Sequence, residues 1–356
     1  MNLSEFSPSA RESGTEKALI GHEDIRERLK SLTASNRLPP SLLFWGMPGI
    51  GKTSCAVWLA KMLNCVDNKP GEEPCGRCIA CRRIVYPVYQ DGVLKPITFT
   101  DVSVIEPEKK EITIDQVRAI QKDATLSPLE GRVKVYILRD AQTMNDYAAN
   151  CFLKLLEEPP GKVLIILVAS ELRNILPTIL SRVTKFRFHP LGDDEMRRYL
   201  SRFEDMPPDR VDQLVRLSRG LPQRAGMFAE DPEKLELRKT WAELIEEFPA
   251  MSDFQATDLA SAINKDNVEF IIDELTSIFR DMLVSRENTG TGRLLNRDME
   301  VFIESRKNIY SRWQIINVLE TLKTAHRDVL VPVNPKILAL RTLLKIREEL
   351  KTPDKL

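Results

Sequence analysis

The chain has 356 residues, enough for two or three domains at roughly 150 residues each. Its 42% hydrophobic and 29% charged residues exclude a collagen-like or largely disordered chain, and no apolar run reaches the ~20 residues of a membrane span. The net charge of zero hides a split. Residues 1–190 carry 26 basic and 22 acidic side chains, and residues 191–356 carry 26 and 30. Neither half is basic enough to bind nucleic acid tightly alone, so any contact with DNA is expected to be shared with other subunits. Met1–Thr15 has no apolar leader run, and six cysteines are too few for a disulfide scaffold, so they are expected as reduced thiols.

Residues 1–16 read as a flexible tail. Ile25, Leu29 and Leu32 then mark an amphipathic helix ending near Asn36, and Ser41–Trp45 is a short buried strand. A glycine-rich turn leads into a helix from about Lys52 to Leu63. Residues 65–81 are rich in Cys and Gly and break the pattern. Pro96–Asp101, Val133–Leu138 and Val163–Val168 are strand-like, with helical stretches between them. Such alternation predicts an α/β domain with a parallel sheet and helices on both faces.

The character changes near Pro190. Residues 192–230 read as short helices interrupted by Pro207-Pro208 and Gly220. From Asp231 the pattern is helical, with Val268, Ile271, Leu275, Ile278 and Met282 on one stripe and Ile337, Leu340 and Leu344 on another. The Gly/Thr-rich Glu287–Arg293 loop is expected to be mobile. The domain boundaries follow as 1–16, 17–189 with an insert at 65–81, 190–234 and 235–356.

Gly46 to Thr53 fits G-x-x-x-x-G-K-[ST], between a strand and a helix. Gly46, Gly49 and Gly51 let the backbone wrap a phosphate, with Lys52 on the β/γ-phosphates and Thr53 on Mg²⁺, followed by Ser54. The helix start adds its positive dipole end. The ligand that such a loop would take is Mg²⁺-ATP, and whether this one takes it is left open. A nucleotide hydrolase also needs acidic residues at a neighbouring strand end. Here Val133–Leu138 ends in Arg139-Asp140, a cation at the metal-orienting position and an acid one carbon shorter than the expected base. Asp140 reads as a turn or helix-cap aspartate. The loop therefore points to a nucleotide, with a relict loop that no longer binds one and a chance glycine-rich turn as the alternatives, while the strand end argues against hydrolysis.

Cys65, Cys75, Cys78 and Cys81 are spaced C-x9-C-x2-C-x2-C. Four thiolates make a closed tetrahedral shell of the structural zinc type, and Zn²⁺ would supply folding energy to an insert with little apolar content. Four unrelated thiols and an iron–sulfur cluster are the alternatives. The latter is disfavoured because the fourth Cys lies upstream. Cys55 and Cys151 read as core residues. His22, His189 and His326 show no ligand spacing and read as structural or exposed. Arg182 and Arg224, read alone, are ordinary surface charges.

Taken together, the segment from Ile20 to Ala225 resembles the delta-prime family of bacterial DNA polymerase III clamp-loader subunits, which are AAA+ proteins. The resemblance is carried by IGHEDIRERLKSLTASNRLPPSLLFWGMPGIGKTS, by the cysteine spacing, and by ANCFLKLLEEPPGKVLIILVASELRNILPTILSRV. It implies an AAA+ core over 17–189 with a zinc module, a small helical lid over 190–234 and a helical collar over 235–356. It implies that Arg182 acts in trans as an arginine finger, that Arg224 is the sensor-2 arginine of the lid, and that Ser170 stands at the sensor-1 position. It further implies gamma/tau and delta subunits as partners, the sliding clamp indirectly, primed DNA within the assembly, no membrane, and a cytoplasmic place in DNA replication. The departures are Ser-Arg-Val at 181–183 where the family has Ser-Arg-Cys, Ser41 after Pro40 where it has His, and Arg139-Asp140. Arg139 favours a non-hydrolysing stator over an active gamma-like ATPase, the Leu-Leu-Glu-Glu-Pro-Pro stretch at 155–160 with Ser181-Arg182 argues against a zinc-stabilised AAA+ adaptor outside replication, and this chain's own enzymatic activity is left open.

Overall fold

The computed structural model describes residues 19–85, 88–90, 93–95, 97–108, 110–159, 161–203, 206–287, 294–329 and 333–351. The expected tail at 1–16 and nearly all of the 287–293 loop lie outside these residues. The chain packs as two compact units. The first comprises residues up to Met206 together with Gly220–Gly226, and the second comprises Pro207–Arg219 and everything from Met227.

In the first unit, α1 (Glu23–Ala34), β1 (Ser41–Trp45), α2 (Lys52–Asn64) and α3 (Ile79–Arg83) are followed by β2 (Val88–Gln90) and β3 (Val93–Lys95), an antiparallel pair apart from the main sheet. Then come β4 (Val102–Ile105), α4 (Ile114–Ala124), β5 (Lys134–Leu138), α5 (Asp146–Glu157), β6 (Val163–Ala169), α6 (Pro177–Leu180), β7 (Thr184–Arg187) and α7 (Asp193–Leu200). The sheet has five parallel strands in the order β4-β5-β6-β1-β7. β6 is buried along its whole length, as an apolar run covered on both faces must be.

Successive residues of β1 face opposite sides. Leu42 and Phe44 pack with Ile25 and Leu29 of α1 and with the buried face of α2. Leu43 packs with Val117 and Ile120 of α4 and with Phe152 and Leu156 of α5. The helix starts are chemically marked. Thr113 and Gln116 form a capping box on α4, and Asn145 accepts from the Ala148 N–H at the start of α5.

Two strand expectations need correction. The edge strand is Val102–Ile105 rather than Pro96–Asp101. Asp101 instead spends its carboxylate on the N–H groups of Leu129, Glu130 and Gly131, at 2.7–3.0 Å, and fixes that loop. β7 was not foreseen. Of its residues only Phe186 is buried, while Arg187 stacks 4.9 Å from the Trp45 ring centroid.

The second unit is helical: α8 (Pro208–Ser218), the later part of α9 (Pro222–Glu230), α10 (Glu233–Glu243), α11 (Asp253–Ser261), α12 (Val268–Arg286), α13 (Glu300–Arg306), α14 (Arg312–Val329) and α15 (Pro335–Lys351). The α12 stripe is buried as expected. The α15 stripe is not. Ile337 is 63% exposed, and the helix instead buries Leu338, Ala339, Leu343, Ile346 and Leu350. A polar cluster lies within this unit. Arg238, 2% exposed, donates to Glu274 at 2.9 Å, to Asn296 at 2.9 Å and to both Asp298 oxygens at 2.6 and 3.1 Å. Arg219 adds bonds to Ser277 at 2.6 Å and Asn296 at 2.8 Å. Among the described residues, no helix is long and apolar enough to cross a membrane.

Candidate nucleotide loop and metal centre

The glycine loop leaves β1 and enters α2. Gly46 has φ +149°, and a Cβ there would stand 2.6 Å from the Phe188 carbonyl oxygen, so only glycine fits without movement. Gly49, at φ +71°, lies equally tight against Gln223. The Gln223 N–H donates to the Gly49 carbonyl at 3.2 Å, which brings the first turn of α9, and with it half-buried Arg224, to the loop. Gly51, at φ +102°, caps α2. His22 is buried and its Nε2 donates to the Ile50 carbonyl at 2.8 Å, a role its sequence setting did not disclose.

Lys52 is 7% exposed, and its ammonium donates to the Gly46 and Met47 carbonyls at 2.7 Å each. Burial pulls its pKa down to about 8, with Asp140 working against the shift and Arg139 with it. Thr53 is buried beside it and Ser54 is half-buried. Lys52, Arg139 and Asp140 therefore share one electrostatic neighbourhood.

The end of β5 differs in one respect from its sequence reading. Arg139 is ion-paired with Glu106, just beyond β4, so the cation arrives with a carboxylate. No spacing rule links residues on adjacent strands, and Glu106 was missed for that reason. Asp140 adopts the left-handed conformation, φ 49°, at the start of a short 3-10 turn. It is a turn residue as expected, but its side chain caps nothing there. It accepts from Gln142 Nε2 at 3.2 Å, and Gln142 Oε1 in turn accepts the Ser170 N–H at 3.2 Å.

Arg182 follows α6 and is 37% exposed. It donates to Glu157 at 2.9 Å and to the Thr178 carbonyl at 3.0 Å. His189 is exposed, and His326 pairs with Asp273 at 3.3 Å. Cys55 is fully buried, and burial pushes its thiol up to about 12, which leaves it inert. Cys151 is half-buried against the α4–α5 core.

The four remaining cysteines converge. Their sulfurs all lie within 4.8 Å of one another, with Cys65 and Cys78 at 3.9 Å. A tetrahedral ion with Zn–S bonds of ~2.3 Å has sulfurs about 3.8 Å apart, so the cluster fits zinc. Backbone N–H groups point at the sulfurs. Cys75 donates to Cys65 Sγ, Cys78 to Cys75 Sγ and Cys81 to Cys78 Sγ, at 3.3–3.5 Å. Burial alone would raise the Cys78 thiol, but the N–H groups of Cys81 and Val66 and the neighbouring thiols bring it to about 7. Burial holds the Cys75 and Cys81 thiols up, while Cys78 is moved toward the thiolate that a metal needs.

A five-stranded parallel sheet, a glycine loop between β1 and α2 and a short helix returning onto that loop make an α/β core of the phosphate-loop type. Residues 21–192 match the family described as DNA polymerase III, delta subunit. The chain is similar to bacterial DNA polymerase III subunits, with delta' and tau both among the proteins that it resembles. It is 27% identical to the DNA polymerase III subunit delta' of Bacillus subtilis, over 86% of this chain and 91% of that one. It is 25% identical to the tau subunit of the same organism over 92% of this chain, but spans only 60% of that longer protein. A solved gamma subunit-related protein from Thermotoga maritima aligns over 90% of this chain and 99% of its own, with 19% identity and a TM-score of 0.45.

Proposed function

We propose that the chain is a clamp-loader subunit of the delta-prime kind, a stator that hydrolyses no ATP itself and lends Arg182 to ATP held by a neighbouring subunit. Its partners are gamma/tau and delta subunits, with the sliding clamp and primed DNA met through the assembly in the cytoplasm. The domains are the AAA+ core to residue 189, the lid over 190–234 and the collar from 235. Cys65, Cys75, Cys78 and Cys81 hold a structural Zn²⁺. Gly46, Gly49, Gly51, Lys52, Thr53, Ser54 and Arg224 form a nucleotide pocket in which Mg²⁺-ATP is bound weakly or not at all.

The observation that carries this reading is the end of β5. Where a hydrolase needs a carboxylate on Mg²⁺, Arg139 points its charge at Glu106, and Asp140 sits in a turn with no Glu beside it. Catalysis of phosphoryl transfer is mostly positioning and charge compensation, and neither is provided there. The competing reading is an active gamma-like ATPase. It is favoured by the intact Lys52 loop and by Glu106 beside Arg139.

The test is steady-state ATP turnover by the purified chain, with Lys52→Ala as control. No Lys52-dependent turnover is expected. Arg139→Asp should strengthen Mg²⁺-nucleotide binding without conferring turnover. Ordinary turnover abolished by Lys52→Ala would establish the gamma-like reading instead.

A further inference from the structure

One side chain of the metal insert reaches both helices that flank the phosphate loop. Glu73 lies in the arm between Cys65 and Cys75. Its Oε2 accepts from Trp58 Nε1 of α2 at 2.7 Å, and its Oε1 accepts from Arg26 Nη2 of α1 at 2.6 Å, with Lys30 Nζ at 3.4 Å. Arg26 also stacks 5.3 Å from the Trp58 ring centroid and donates to the Leu19 carbonyl at 3.0 Å.

The rest of the arm is fitted just as closely. Gly71, at φ +85°, lies so near α1 that a Cβ would stand 2.6 Å from the Lys30 carbonyl oxygen. Asn68, 8% exposed, donates to the Met62 carbonyl at the end of α2 at 3.0 Å and to the Glu72 carbonyl at 2.9 Å. Both helices begin at the phosphate loop. α2 starts at Lys52, and His22, which caps α1, bonds to the Ile50 carbonyl at 2.8 Å.

We propose that Glu73 is a positioning residue through which metal held by the four cysteines orders the phosphate loop. With metal bound, the arm is pinned at Cys65 and Cys75, two residues from Glu73, and its carboxylate is delivered to Trp58 and Arg26 together. Without metal, the arm keeps the Asn68 bonds and the Gly71 contact but loses the anchor at Cys75 that fixes the end carrying Glu73. Arg26 then loses its carboxylate, and the Leu19–His22 segment and the start of α2 lose a shared brace. Coupling of this kind is reciprocal, so a ligand in the loop would tighten metal binding by the same factor. It does not depend on the loop holding nucleotide, and it is measured without one.

The experiment is amide hydrogen exchange on the full chain, zinc-loaded and after extraction of zinc with a chelator. Chelation should speed exchange in residues 65–81 and also, by about tenfold, in residues 20–22 and 46–56, while β5 and β6 stay protected. Glu73→Gln should keep stoichiometric zinc yet show fast loop exchange whether or not zinc is present. Trp58→Phe, which removes only the indole bond, should fall between. Equal loop protection with and without zinc in the unaltered chain would overturn the proposal, and so would a Glu73→Gln protein as protected as the unaltered one. Loss of zinc from Glu73→Gln, or deprotection of β5 and β6 on chelation, would reduce Glu73 to an ordinary part of the insert's folding and equally overturn it.

Discussion

Arg182 donates from Nη2 to Glu157 Oε1 at 2.9 Å, so the residue proposed to act on a neighbour's ATP is held by a carboxylate of its own chain. Both side chains are well exposed, at 37% and 51%. Exposed ion pairs contribute only about 0–1 kcal/mol, so a phosphate presented by another subunit can displace Glu157 readily. Arg182→Ala should therefore shift the urea midpoint very little. In a complex reconstituted with its partners, the same substitution should lower DNA-stimulated ATP hydrolysis. Arginine fingers contribute about 10³–10⁵ in rate in well-studied hydrolases, and loss of one among several sites costs less. Arg182→Lys should rescue poorly, because an ammonium lacks the planar fork. Equal ATPase rates with and without the substitution, at equal assembly, would leave Arg182 as a surface charge.

The cysteine cluster predicts about one tightly bound zinc ion per chain, measured by elemental analysis. Cys78→Ser should lose most of that metal and raise protease sensitivity within residues 65–81. The far-UV signal of the sheet should persist, because both core clusters are filled mainly by β1, β5, β6 and their covering helices. Sub-stoichiometric zinc in carefully expressed protein, or visible iron–sulfur absorbance, would contradict the assignment.

How much of this was legible depends on where the partners lie along the chain. β1, the glycine loop and α2 form one local pattern, and β6 is an uninterrupted apolar run. The metal site is spacing alone. β7 was hidden because only Phe186 turns inward on an edge strand with one paired side. α15 was legible as a helix but not in phase, since Ile337, Leu340 and Leu344 form as good a stripe as the buried Ala339, Leu343 and Ile346. Glu106 with Arg139 and Glu73 with Trp58 pair residues from separate elements. Their meeting is a product of the fold, which periodicity does not encode.

The same holds for Arg238, whose setting yields a stability prediction. The guanidinium is buried with Glu274, itself 0% exposed, and is satisfied by Glu274, Asn296 and Asp298. Truncating one partner of a buried charge cluster typically costs about 3–5 kcal/mol, since the remaining carboxylate stays buried with less compensation. Arg238→Ala should fall in that range by urea unfolding. Arg238→Met with Glu274→Met should recover part of the loss, because the two most deeply buried charges leave together while Asp298 and Arg219 keep some access to water. A loss below about 1 kcal/mol for Arg238→Ala would mean that water or Arg219 compensates freely at this site.

Lys52 gives a pH dependence whose sign is fixed by its position. Burial lowers its folded-state pKa to about 8 from the ordinary lysine value of 10.5. Between those values the unfolded chain binds more protons than the folded one, so the Lys52 contribution makes stability rise with pH across roughly pH 8 to 10.5. Below pH 8 the ammonium stays charged in both states and the slope from this residue vanishes. Lys61 is shifted in the same direction by its own burial, so the whole protein's slope is not diagnostic. The measurement is therefore a difference. Lys52→Met and unaltered protein are unfolded in urea at pH 7 and pH 10. The unaltered chain should gain on the variant by about 1–2 kcal/mol at the higher pH, a discounted form of the full linkage value. An anion bound in the loop would raise the Lys52 pKa toward its ordinary value and flatten that difference. A difference of zero or of opposite sign would mean that the ammonium's bonds to the Gly46 and Met47 carbonyls outweigh its desolvation.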